Sequence, residues 1–148
     1  MISKKAKYAL KALEYITKNK ERGHLLISEI SEKQHIPKKF LEVILLELKK
    51  DAILQSKMGK NGGYALRTDP KEVTVGHIIR LIDGPIALIP CVSYKFYQRC
   101  EECEDETTCG LRNVMAEVRE ANNKILSTVT LYDIVKRENK LKKMMGMD

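Results

Sequence analysis

The sequence predicts a mainly α fold with a small β-hairpin wing: a winged helix-turn-helix domain followed by a long C-terminal dimerisation helix. Three observations carry this. Apolar residues recur at spacings of three and four through most of the 148 residues, the period of helices packed by one face. A short helical pattern, a tight turn and a second helical pattern stand back to back between Ser28 and Lys50, the order of a helix-turn-helix. Directly after them, two short strand-like runs flank Gly59, Asn61, Gly62 and Gly63, and Asn-Gly between such runs signals a hairpin.

The first helix is expected over residues 3–18. Ala6, Ala9, Leu10, Leu13 and Ile16 or Thr17 form its apolar stripe, and Lys4, Lys7, Lys11 and Lys18 largely avoid that stripe. Gly23 ends it or lies in the following loop. Ser28 is a good N-cap for a short helix at about 29–34, with Glu29 and Glu32 facing the positive end of its dipole. His35 suits a left-handed turn residue, because His tolerates that conformation better than bulkier side chains do. Pro37 suits the first turn of the next helix, where its missing N–H costs nothing. That helix runs to about Lys50. Phe40, Leu41, Ile44, Leu45 and Leu48 form its inward stripe, which leaves Lys38, Lys39, Glu42, Glu47, Lys49 and Lys50 outward.

Residues 53–57 and 64–67 are the strands of the wing, and Thr68-Asp69-Pro70 closes it. Thr74 caps a helix, VGHIIRLIDG, that stops at Gly84. A cysteine loop occupies 86–109. From Gly110 the spacing of Leu111, Val114, Met115, Val118, Ala121, Ile125, Leu126 and Val129 is close to a heptad. Such a helix pairs with its twin in a dimer or packs on its own domain, and the first is the reading preferred here. The tail LKKMMGMD is expected to fray. The regions are therefore 1–68 (winged helix-turn-helix), 69–85 (connecting helix), 86–109 (cofactor or sensor loop), 110–137 (dimerisation helices) and 138–148 (frayed tail).

Charge points to a partner. The net charge is +7, yet residues 1–67 carry 15 Lys and Arg against 7 Asp and Glu, while residues 68–148 carry 12 against 13. A locally basic helix-turn-helix fits double-stranded DNA, since neutralised phosphates release counterions; the alternative is a solvated lysine-rich surface. In a helix-turn-helix the second helix enters the major groove, which makes Lys38 and Lys39 candidates for phosphate or base contact. Glu42 is a candidate acceptor from a cytosine amino group, or else a partner of Lys38 or Lys39. Ser28, Lys57 and Lys60 complete the candidate DNA-binding set. No apolar run spans a bilayer, Lys4, Lys5, Lys7 and Lys11 interrupt the N-terminal apolar residues, and a cytoplasmic protein is expected.

All four cysteines lie in CVSYKFYQRCEECEDETTC, spaced C-x8-C-x2-C-x5-C and threaded with Glu101, Glu102, Glu104, Asp105 and Glu106. In a cytoplasmic chain, clustered cysteines point to metal or redox chemistry rather than a disulfide framework. Zinc sites usually show two close pairs, and only Cys100 and Cys103 form one, so the spacing favours an iron–sulfur cluster over zinc. A thiol–disulfide switch is the third reading. The surrounding acids weigh against it, because negative charge disfavours thiolate. There is no phosphate-binding loop, dinucleotide fingerprint, H-E-x-x-H or nucleophile elbow. An enzyme or electron carrier is therefore the remote alternative.

The segments SEISEKQHIPKKFLEVILLELKKDAIL, GKNGGYAL and VTVGHIIRLIDGP, with cysteines before a long helix, resemble the Rrf2 family of bacterial transcription regulators over about residues 2–135. The resemblance implies a homodimer with crossed C-terminal helices on a partly palindromic operator. It implies loop ligands matched by Cys91, Cys103 and Cys109 for a 2Fe–2S or 4Fe–4S cluster. It also implies a glutamate, here Glu42, that helps choose between operators. Leu111, Val114, Met115, Val118, Ile125 and Leu126 are the expected seam. The sequence departs from the family at three places. Met58 stands where the wing usually carries Arg. Arg112 stands where IscR-like members have a ligand His, and Lys7 where NsrR-like members have a carboxylate. Cys100 is the candidate fourth ligand. CymR-like members imply the alternative, a cofactor-free sensor of a metabolite or oxidant.

Overall fold

Helix α1 (Lys4–Lys18) begins where Ser3, in extended conformation, accepts the amide of Ala6 through its hydroxyl. It is the central pillar of the computed structural model, which describes residues 1–147. Ala6, Ala9 and Ala12 are fully buried, and these small side chains let neighbouring helices approach closely. Around α1 pack α2 (Ile27–Gln34), α3 (Lys38–Lys50), α4 (Val75–Asp83) and α6 (Leu131–Met144). Leu13, Ile16, Ile30, Leu41, Ile44, Leu45, Leu48, Ile78 and Leu131 meet in one core. Each contributes roughly 1.5–3 kcal/mol by leaving water.

Strands β1 (Leu54–Lys57) and β2 (Gly63–Leu66) form an antiparallel hairpin with Leu54 opposite Leu66 and Lys57 opposite Gly63. The Asn-Gly pair is not its pivot. The loop turns at Gly59, whose φ is +101°, and Gly62 N–H donates back to the Gly59 carbonyl. Helix α4 is capped as expected, Thr74 accepting from the His77 amide and Gly84 closing it at φ +87°. Residues 85–109 hold two short 3-10 turns, at Pro90–Val92 and Glu106–Thr108.

Four expectations need correction. Ser28 does not cap α2. The cap is Leu26, without a side-chain bond, and Ser28 lies exposed in the first turn. Phe40 is not in the buried stripe of α3. It is 58% exposed and meets Tyr8 of α1 edge-on at 6.5 Å, flanking the core rather than entering it. The C-terminal helix is not continuous to Val129. Helix α5 (Gly110–Leu126) ends as the Ser127 and Thr128 hydroxyls bond the carbonyls of Asn123 and Lys124. A capping box of Thr130 and Asp133 then starts α6, which returns to α1. The Val129 carbonyl accepts from Val75 N–H, and Leu131 N–H donates to the Val73 carbonyl. Residues 138–144, expected to fray, are helical, and Glu138 pairs with Lys18 of α1 and Lys142. Asp148 lies outside the described residues.

Candidate functional site

The turn between α2 and α3 is fixed by local bonds. His35 takes the left-handed conformation at φ 52°. Ser31 donates its hydroxyl to the Ile36 carbonyl at 2.6 Å and accepts the Ile36 amide through its own carbonyl at 3.0 Å. Ile36 is 2% exposed and wedges into the core. Pro37 then stands at the N-cap, one residue earlier than expected, and α3 begins at Lys38.

Lys38, Lys39 and Glu42 are all exposed on the first turns of α3. None of the ion pairs among the described residues involves them, so the internal pair weighed for Glu42 is not formed. Three unpaired charges at the start of a presented helix remain free for an external partner. Two further residues of that face were missed from the sequence: Val43 and Leu46, about half exposed beside Lys39 and Lys50. Glu47, expected outward, is half-buried and pairs with Lys5 of α1 at 2.5 Å.

The wing is tied to the same unit. Leu25 and Tyr64 exchange both backbone bonds, at 2.9 and 2.8 Å. Burial pushes the Tyr64 phenol up, and the nearby Glu42 charge adds to it. Lys57 and Lys60 are exposed on either side of the wing turn, with Met58 fully exposed between them. At the base of α2, Glu29 accepts from Arg22 at 2.6 Å and from Tyr15 at 2.6 Å. Those bonds hold its carboxyl below the usual range.

The second cluster is the thiol loop. Cys109 is the N-cap of α5, its sulfur accepting from the Arg112 amide at 3.4 Å. That bond, then the neighbouring Cys103 thiol, pushes the Cys109 thiol down. The neighbouring Cys109 thiol first, then desolvation and the Cys100 thiol, push the Cys103 thiol up to about 12, and the Cys103 amide donates to the Cys100 carbonyl at 3.4 Å. Cys100 also donates to Glu102 at 3.1 Å. Cys91 is buried in the turn Pro90–Val92, and its carbonyl accepts from Arg112 Nε at 3.3 Å. Arg112 therefore braces the Cys91 backbone against the Cys109 end of α5. Lys7 is exposed on α1.

The acids around the thiols are structural ties. Glu106 accepts from Tyr97 and from the Cys100 amide, and Asp105 caps the turn at Thr107. Among the described residues, no group of three or more His, Cys, Asp or Glu side chains is spaced to hold a metal ion. The donor chemistry nevertheless suits an iron–sulfur cluster. Cys100, Cys103 and Cys109 share one loop, in which the Cys103 amide donates to the Cys100 carbonyl and Cys109 caps α5, and Cys91 is braced beside the same helix end.

Helix α5 buries none of its residues within the chain. Leu111, Val114 and Ile125 are 61%, 52% and 59% exposed, and Met115, Val118 and Leu126 are half-buried. Arg112 and Arg119 bond from α5 to the carbonyls of Cys91 and Val92 in the thiol loop. No helix among the described residues is long and apolar enough to cross a membrane.

The model of the Rrf2 family, described as iron-dependent transcriptional regulators, matches residues 2–137. An rrf2-like HTH-type transcriptional regulator of Rhodobacter capsulatus is 40% identical over 148 residues, covering 98% of this chain and 99% of the relative. The HTH-type transcriptional regulator NsrR of Oceanobacillus iheyensis is 28% identical, covering 99% of this chain and 97% of its own. The solved structure of CymR, the global cysteine regulator of B. subtilis, superposes with a TM-score of 0.77 at 26% identity, covering 93% of this chain and 97% of that one.

Proposed function

The chain belongs to the Rrf2 family of transcriptional regulators, and from that premise we propose that it is a cytoplasmic, homodimeric DNA-binding regulator of a palindromic operator. Its affinity for that operator is set by an iron–sulfur cluster held in the thiol loop. The observation that carries the DNA reading is the exposed, unpaired set Lys38, Lys39 and Glu42 on α3, beside a wing bonded to the start of α2. Lys57 and Lys60 extend it along the phosphate backbone. The exposed stripe of α5 supports pairing with a second copy, which places two reading helices on two half-sites.

Cys91, Cys103, Cys109 and Cys100 are the residues that would hold the cluster. When bound, it supplies a centre responsive to oxidants and to ligands of iron. The chain's own part is to gather the thiols, to fix Cys109 at the end of α5 and to tie the loop by Glu106 and Asp105. Cys109 caps, and Arg112 and Arg119 tie to the loop, the helix proposed to pair the subunits, so a change in the loop would reach the spacing of the reading helices.

A cofactor-free thiol sensor is the second reading. It rests on the gathering of Cys100, Cys103 and Cys109 in one loop, with the Cys103 thiol pushed up and the Cys109 thiol down. Anaerobic purification separates the two readings. A visible chromophore with iron and sulfide, whose loss changes operator affinity at least severalfold, supports the cluster. A colourless protein whose operator affinity responds to thiol oxidation alone supports the second reading.

A further inference from the structure

A cavity of about 530 Å³ lies between α4, the chain after Gly84 and α5. It shares no residue with the cysteines or with the DNA-facing set. Its size falls within the range of small-molecule sites. Leu81, Ile86 and Phe96 give it an apolar wall, and three cations reach it: Arg80 from α4, Lys95 from the loop and Arg119 from α5. No Asp or Glu lines it.

The three cations are not equivalent. The Arg119 guanidinium stacks on the Tyr94 ring at 4.0 Å and bonds to the Val92 carbonyl and Glu120. It is fixed and largely satisfied. Arg80 and Lys95 take part in none of the ion pairs among the described residues. Arg80 and Lys95 thus bring two charges without an ion-pair partner to one apolar cleft, and an anion placed there is attracted to both.

We propose that this cavity binds a small organic anion. Its charged end is held by Arg80 and Lys95, and its apolar body lies on Leu81, Ile86 and Phe96. The site spans two parts of the molecule. Arg80 belongs to α4, whose Ile78 is fully buried in the core and whose His77 pairs with Asp51 at the end of α3. Lys95 belongs to the thiol loop. An anion held by both ties the loop to the helix beneath the DNA-facing unit, which makes it an effector site separate from thiol chemistry.

The test uses the full chain and two dyes of similar aromatic body, anilinonaphthalene sulfonate and the neutral phenylnaphthylamine, followed by fluorescence. The sulfonate should bind at one site per chain and more tightly than the neutral dye. Arg80→Gln and Lys95→Gln should each weaken it about three- to tenfold, the loss of one charged contact near the surface, and leave the neutral dye unchanged. Ala87→Trp, which narrows the cavity, should weaken both dyes. Equal affinity for the two dyes overturns the proposal. So does sulfonate binding indifferent to both charge variants, since the dye then sits elsewhere, for instance on the apolar stripe of α5. Should Ala87→Trp fail to fold, the two charge variants decide alone, because both side chains are exposed.

Discussion

The carbonyl oxygen of Leu25 lies 2.0 Å from where a Cβ on Gly63 would stand. Gly63 also has φ +131°, a conformation that side chains avoid. This close approach lets the wing bond to the start of α2 through Tyr64. Gly59 has φ +101° but open space around it. Gly63→Ala should therefore destabilise the fold by about 2 kcal/mol or more, while Gly59→Ala should cost only about 1 kcal/mol of local strain. Urea midpoints of the two variants check this, and equal losses would mean that the approach of Gly63 to Leu25 is not tight in solution.

Lys38→Ala and Lys39→Ala should each weaken operator binding and reduce the slope of log affinity against log salt by about one unit per lost phosphate contact. Glu42→Ala should change preference among operators more than total affinity. Val43, exposed beside Lys39, offers an apolar surface to a thymine methyl, so Val43→Ser should lose most at operators with thymine facing it. Binding measured over several salt concentrations and operator variants tests all four, and unchanged slopes in both lysine variants would remove them from the contact surface.

Much of this face was legible in the sequence, because its determinants are local. Thr74 and Gly84 mark α4 by capping chemistry, and His35 marks the turn by its tolerance of positive φ. The failures came where long-range packing decided. Val129 continues the apolar spacing of α5, so periodicity ran through the break that the Thr130–Asp133 capping box imposes. Phe40 fits the inward spacing of α3, yet Tyr8 of α1 holds it at the rim. The sequence placed four thiols in one loop. It did not show that Cys109 caps α5 while Cys91 is buried in its own turn. Nor did it show that Glu106 and Asp105 fold the loop.

Helix α5 should form most of the dimer interface. Val118→Asp and Ile125→Asp each place a carboxylate on its apolar stripe, at a desolvation cost of several kcal/mol on pairing. Sedimentation should then show monomer, with sharply weaker binding to an operator of two half-sites and unchanged helix content. A double variant that remains dimeric would move the interface to another surface.

Glu138 anchors α6 to α1, and its pKa falls to about 2 because the bonds from Lys142, Lys18 and Glu14 outweigh its desolvation. Burial and the Glu138 bond raise its neighbour Glu14. A depressed carboxyl contributes stability above its unfolded pKa and loses it as pH falls toward the folded value. A raised one acts oppositely. The Glu138 shift should dominate, so the wild type loses stability between about pH 5 and pH 2. Glu138→Gln should be less stable at neutral pH and flatter on acidification. Parallel pH curves for the two proteins would show that the pair does not govern acid stability.

Cys100 is the proposed fourth ligand of the proposed cluster. A cluster held by cysteine alone takes four thiolates. Cys91, Cys103 and Cys109 match the ligands that the family resemblance implies, while Arg112 and Lys7 occupy the places of non-cysteine ligands. Neither charged side chain has a free lone pair to offer a metal. Arg112 is also engaged in holding the Cys91 carbonyl, and Lys7 is exposed on α1. The Cys100 carbonyl accepts the Cys103 amide at 3.4 Å, so the two residues share one turn and Cys100 would reach a shared centre with a small movement of the loop. The alternative is a fourth site filled by water, a small thiol or a residue of the partner subunit. Cys91→Ser, Cys103→Ser and Cys109→Ser should each abolish or gravely weaken the chromophore after anaerobic purification. Cys100→Ser should shift the spectrum and shorten the cluster's lifetime in air. If Cys100→Ser keeps the wild-type spectrum, iron content and lifetime in air, the fourth ligand lies elsewhere, and Cys100 serves only the turn it shares with Cys103.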